Sequence, residues 1–290
     1  MRVQIMNSDS SSADGYGDKK KPGPVTDNPW HRLRDFTAAR IALGRAGVSL
    51  PTQALLAFQL DHARAQDAVH LPLDVDRLAA DLQPLLGEQP LLLHSQANDR
   101  FHYLQRPDLG RRLNDSACER LEELADIAQE PADLAVVIAD GLSSQAVQHN
   151  TLPMLEALFS VLKNDADSWR LAPVTLVEQA RVAIGDDIGQ RLNARAVLVM
   201  IGERPGLSSP DSLGLYLTWA PQPGRSDAER NCISNVRPAG LGYTDAASRL
   251  LYLLRESRRL QLTGVGLKDR TETDVIASQD GAGNFLLGGT

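Results

Sequence analysis

At 290 residues the chain has room for one or two domains, and its 37 Asp+Glu against 30 Lys+Arg leave a net charge of −7. That balance argues against a broad nucleic-acid footprint, which needs a basic face. With 42% apolar but only 4% aromatic residues, burial must rest on Leu, Ala, Val and Ile, and no apolar run is long enough for a membrane-spanning helix.

Residues 1–28 are rich in Ser, Asp, Gly, Lys and Pro and have little to bury, which predicts a disordered leader. The leader lacks the pattern of a secretory signal, and Lys19-Lys20-Lys21 reads as solvated charge. Two distant cysteines, Cys118 and Cys232, form no disulfide framework, so the expected setting is the reducing cytoplasm. Residues 29–130 read as a helical N-terminal region. Thr52 caps a helix over Gln53–Val69, where Leu55, Phe58 and His62 recur at helical spacing, and Leu71-Pro72 closes it. Asp115–Ala128 predicts a second helix, and no strand alternation stands out between the two.

Residues 131–270 change character. Leu134–Ala139 is a short apolar run ending in Asp140-Gly141-Leu142-Ser143. Leu155, Leu158, Phe159 and Leu162 then mark a helix that Pro153 starts or kinks. Pro173–Val177 predicts a strand, Ile184–Leu192 a short helix, and Arg195–Ile201 the clearest buried strand. Leu213–Ala220 is strand-like, and Ala247, Leu250, Leu251 and Leu254 mark an amphipathic helix with arginines on its other side. Alternating strands and helices predict an α/β fold, a mostly parallel, Rossmann-like sheet flanked by helices. Residues 271–290 read as a poorly ordered tail.

The chemistry is bounded first by what is missing. There is no Gly-Lys for a phosphate loop, no Gly-x-Gly-x-x-Gly after a strand, and no Cys-x-x-Cys or His-Glu-x-x-His, so no metal site is expected. Ligands of open α/β sheets bind outside the carboxyl ends of strands. Two candidate segments lie at such ends. Asp140-Gly-Leu-Ser143-Ser144 superficially resembles a hydrolase nucleophile elbow, but Gln145 replaces the required glycine and a helix N-cap is the better reading. Ile201-Gly-Glu-Arg-Pro-Gly delivers Glu203 and Arg204 to the sheet edge, followed by a loop that prolines stiffen. A third segment opens with Ser226 and Glu229 at capping-box spacing and carries Cys232, read as a small buried side chain rather than a nucleophile.

Taken in order, Phe36–Gly47, Arg106–Leu113, Asp140–Ser143, Ile201–Leu207 and Asn231–Asn235 resemble the small (light) subunit of ethanolamine ammonia-lyase, with a likeness running from Trp30 to Lys268. The resemblance implies a lyase that uses adenosylcobalamin to convert ethanolamine to acetaldehyde and ammonia. It implies a large subunit as partner in a hetero-oligomer, with no nucleic acid and no membrane, in the cytoplasm or inside a bacterial microcompartment. In that family the large subunit carries catalysis and the small subunit helps to bury the corrin, so no catalytic residue is assigned here. Family cofactor contacts transfer to Val182, Glu203 and Cys232, although Ala180 stands where the family has glycine before Arg181-Val182. No Asp-x-His-x-x-Gly is present, which leaves the cofactor's own base as the expected cobalt ligand. The alternative reading is a free-standing Rossmann-like ligand-binding module.

Overall fold

The computed structural model describes residues 23–127 and 130–268; the rest of the leader and the tail lie outside the described residues. The chain divides into two compact units at Gln59/Leu60.

The described residues of the first unit are held by backbone and capping hydrogen bonds. Asn28 accepts from the Trp30 N–H at 3.0 Å and starts the 3-10 turn Pro29–Asp35. Thr26 and Arg45 exchange two backbone hydrogen bonds of 2.7 and 3.0 Å. Trp30, Phe36 and Val48 are exposed. Helix α1 (Thr52–His70) carries the chain into the second unit, and Ala68 is its buried residue.

The second unit is a six-stranded mixed sheet between helices. Its strands are β1 (Leu91–His94), β2 (Ala132–Ala139), β3 (Thr175–Glu178), β4 (Ala194–Gly202), β5 (Leu213–Trp219) and β6 (Arg230–Val236), in the order β1-β3-β2-β4-β5-β6. The first four are mutually parallel, while β5 and β6 are antiparallel. The α/β class with a largely parallel sheet is therefore present, with an antiparallel edge in place of further βαβ units. The reason is connection length. Only residues 203–212 separate β4 from β5, too few for the crossover that a parallel partner requires.

Alternation sorts the side chains. Leu134, Val136, Ile138, Ala196, Leu198 and Met200 face one core. It is closed by α2 (Val75–Leu86), α5 (Ser144–Lys163) and α7 (Tyr243–Leu260). Ala135, Val137, Ala139, Val197, Val199 and Ile201 face the other, with α4 (Asp115–Ile127) and α6 (Ile184–Arg191). Both central strands are thus buried on both faces, as near-continuous apolar runs require.

Two local expectations are corrected. The passage read as strandless contains β1, whose four residues are too short to show a period and are held by pairing with β3. The same passage contains α2, which Asp74 caps by accepting from the Arg77 N–H at 3.1 Å and Gly87 ends at φ 78°, together with the short helix α3 (Arg100–Gln105). Pro153 does not start α5; it lies inside a helix that begins at Ser144, where the Ser143 hydroxyl accepts from the Ala146 N–H at 3.1 Å. The capping box of Ser226 and Glu229 is present, with the Glu229 carboxylate accepting from the Ser226 N–H at 2.8 Å, on the single turn Asp227–Glu229 that leads into β6.

Candidate functional site

From β2 the parallel core winds β3-β2-β4, an order in which the chain first moves to one side of β2 and then to the other. Such a reversal opens a crevice at the carboxyl ends of the strands. A cleft of about 400 Å³ lies there, lined by Tyr103, Gly141, Arg181, Val182, Glu203 and Tyr216 among others. Its floor is made by two glycines. Gly141 adopts φ 60°, and a Cβ there would lie 2.2 Å from the Gly202 carbonyl; a Cβ on Gly202 would lie 2.0 Å from the Ser143 carbonyl. The ends of β2 and β4 approach backbone to backbone, which only glycine permits.

Asp140 and Arg100 hold the far wall. The Asp140 carboxylate is 1% exposed and accepts the N–H groups of Gln179 at 3.0 Å and Ala180 at 2.9 Å. Arg100 lies 3.4 Å from it and also donates to the carbonyls of Gly141 at 2.7 Å and Val69 at 2.8 Å. Burial pushes the Asp140 carboxyl upward against the pull of Arg100 and these N–H groups. Tyr103 is fully buried between Arg181 and Arg100, whose guanidinium carbons lie 4.4 and 5.0 Å from its ring centre, and its hydroxyl donates to the Ala180 carbonyl at 3.0 Å. Burial and the Asp140 charge raise its pKa, so it stays a phenol. Gly110 completes the wall, since a Cβ there would meet the Tyr103 ring at 2.8 Å.

Glu203 leaves β4 half-buried at the near wall. Its Oε2 accepts from the Ser212 hydroxyl and from the Asn235 N–H at 3.1 Å, while Oε1 accepts nothing among the described residues. Gly214 leaves the space in which Glu203 and the Tyr216 ring come together, each 3.0 Å from where a Cβ would stand. Tyr216 pairs with Cys232 across β5 and β6. Cys232 is solvent-exposed as a residue, rather than the buried side chain its sequence suggests, yet packing about the sulfur pushes the thiol upward and keeps it protonated. Arg204 is exposed at the rim.

The fold thus brings Val182 and Glu203 into one cleft and sets Cys232 beside it through Tyr216. Sequence reasoning missed Arg100, Tyr103, Arg181 and Tyr216, and placed Asp140 in a candidate segment without a role of its own. Arg181 and Tyr103 adjoin motifs that were noticed; Arg100 carries no local signal, because its partners lie 31 to 41 positions away. Ser143 is no nucleophile. It is fully buried, caps α5, and donates its hydroxyl to the Pro210 carbonyl at 2.7 Å.

The lining of the cleft mixes apolar and polar groups. Val182, Leu142 and Ile201 offer apolar surface, Glu203 Oε1 is an available acceptor, and Arg181 brings a guanidinium to the lining. Among the described residues no group of three or more His, Cys, Asp or Glu is arranged to hold a metal ion, and no helix is long and apolar enough to cross a membrane. A second, polar cleft opens at the other end of the sheet, where Arg170 pairs with Glu130, and Arg195 and Arg258 share Asp133.

The family model of the ethanolamine ammonia-lyase light chain (EutC) matches residues 27–268. The chain is 57% identical over 268 residues to the ethanolamine ammonia-lyase small subunit of Pseudomonas putida (strain W619), covering 91% of this chain and 97% of that one. It is 56% identical over 271 residues to the small subunit of Pseudomonas aeruginosa (strain UCBPP-PA14), with coverage of 93% and 98%. To the small subunit of Azotobacter vinelandii (strain DJ) it is 57% identical over 269 residues, with coverage of 91% and 97%.

Proposed function

The chain belongs to the ethanolamine ammonia-lyase light-chain family, and from that premise we propose that its cleft at the carboxyl ends of β2, β3 and β4 covers part of an adenosylcobalamin held against a large subunit. Within an ethanolamine ammonia-lyase, this chain is the small subunit. The observation that supports the cofactor role is convergence: Val182 and Glu203 line one cleft and Cys232 borders it through Tyr216, although β3, β4 and β6 deliver them from distant parts of the sequence.

When bound, the cofactor supplies the radical chemistry, and the protein supplies binding and orientation. Glu203 Oε1 accepts a hydrogen bond from an amide of the ring periphery, its other oxygen being fixed by Ser212 and Asn235. Val182 and Leu142 exclude water from the face they cover. Arg181, which lines the cleft, offers guanidinium donors to carbonyls of the ligand. The protonated Cys232 thiol gives soft contact surface rather than a cobalt ligand. No residue of this chain acts as acid, base or nucleophile, and the large subunit completes the enclosure. The complex works in the cytoplasm or within a microcompartment.

Two measurements test this. Co-expression with a large subunit should give ethanolamine- and adenosylcobalamin-dependent acetaldehyde only when both chains are present. In the same complex Glu203→Gln, which keeps the shape and removes the charge, should raise the corrinoid Kd about tenfold, as loss of a charge-assisted acceptor implies. An unchanged Kd would place Glu203 outside the ligand contact.

A further inference from the structure

We propose that the buried Asp186–Arg230 ion pair is a positioning strut that sets the spacing between Val182 and Cys232, the two flanks of the corrin-covering surface; this rests on the function proposed above. The pair is among the most buried charges in the fold, with side chains 1% and 2% exposed. Arg230 donates to both carboxylate oxygens of Asp186, at 2.6 and 2.7 Å, to the Thr218 hydroxyl at 3.0 Å and to the Arg225 carbonyl at 2.9 Å.

Its placement joins the two flanks. Asp186 lies in the first turn of α6, and that turn is tied to Val182, whose carbonyl accepts the Gly185 N–H at 3.1 Å. Arg230 opens β6 two residues before Cys232, and side chains two apart on a strand share a face. The partner strand repeats the pattern, because Thr218 lies opposite Arg230 and Tyr216 opposite Cys232. One rung of the β5–β6 edge therefore holds the strut and the next holds the candidate ligand surface.

Helix α6 needs such a lock. It meets the sheet through Gly185 and Gly189, where a Cβ would lie 2.3 Å from the Val199 side chain and 2.6 Å from Pro221. Contact through glycines on an apolar sheet brings the helix close but gives little direction along its axis, since apolar burial is non-directional. A bidentate guanidinium–carboxylate fork has a fixed geometry and supplies that direction. Stability alone does not account for it, because apolar replacements of buried pairs are often neutral or stabilising.

The test compares full-length two-chain complexes by thermal unfolding and by spectrophotometric titration with adenosylcobalamin. Arg230→Lys keeps the charge but not the fork, and the double variant Asp186→Leu/Arg230→Met replaces the pair with apolar groups. Leu158→Ala, in α5 on the opposite core, is the destabilised control. We expect both strut variants to raise the corrinoid Kd by about tenfold or more, the scale on which an outer support of a ligand contact acts. The double variant should do so with a thermal midpoint close to the parent's, and Leu158→Ala should stay within about twofold of the parent Kd, as a distant site does. An assembled strut variant with the parent's Kd overturns the proposal, as does an equal rise in Leu158→Ala; if Arg230→Lys does not assemble, the double variant decides. Glu203→Gln separates the two levels. If it leaves the Kd unchanged, the functional reading fails; if it weakens binding while the strut variants do not, only the strut fails.

Discussion

Removing the Asp140 carboxylate should cost the fold more than any other single polar change at the cleft. Asp140→Ala leaves the buried N–H groups of Gln179 and Ala180 without acceptors, at about 1–3 kcal/mol each. It also strips Arg100 of its counter-ion, and breaking a buried pair costs about 3–5 kcal/mol. These losses share one site and do not add. Arg100 keeps its bonds to the Gly141 and Val69 carbonyls, so a total of about 3–5 kcal/mol is expected. Gln179 sits at φ 55°, a left-handed conformation that these bonds hold in place. Asp140→Asn retains one acceptor oxygen and should cost about 1–3 kcal/mol. Urea unfolding of the full-length chain, followed by far-UV circular dichroism, measures both. A loss below about 1 kcal/mol for Asp140→Ala, or equal losses for Ala and Asn, would refute the reasoning.

Three further outcomes follow from the same geometry. Gly202→Ala forces a Cβ to 2.0 Å from the Ser143 carbonyl, so it should lower the unfolding free energy by about 1–3 kcal/mol or more, as overpacking does; a free energy equal to the parent's would show that the β2 and β4 ends separate freely. Ser143→Ala removes the α5 cap and should cost about 1 kcal/mol while leaving any trace esterase activity of the preparation unchanged, and loss of such activity would reinstate a serine nucleophile. Glu229 is held down to about 2 by the Ser226 backbone N–H and by Arg225, against an ordinary 4.5. A depressed carboxylate contributes stability fully above its unfolded pKa and loses it as pH falls through the folded one. The parent should therefore lose more stability than Glu229→Gln between pH 4.5 and about 2, and parallel stability–pH curves for the two proteins would exclude that contribution.

The sequence by itself determined the α/β class, the two central buried strands and most of the long helices, because those elements carry their own periodicity over many residues. Leu134–Ala139 and Arg195–Ile201 read as buried strands and became the cores of β2 and β4. The motif series was legible for the same local reason and led to the family that the comparisons show. Tertiary structure alone decided the rest. β1 has four residues, and β6 mixes polar and apolar side chains, so each exists as a strand through pairing with a neighbour far along the chain. The antiparallel edge follows from a connection too short for a crossover. The wall of Asp140, Arg100 and Tyr103 and the strut of Asp186 and Arg230 join residues about forty positions apart or more. No local pattern encodes them, because a buried charge is stable only once the fold has delivered its partner.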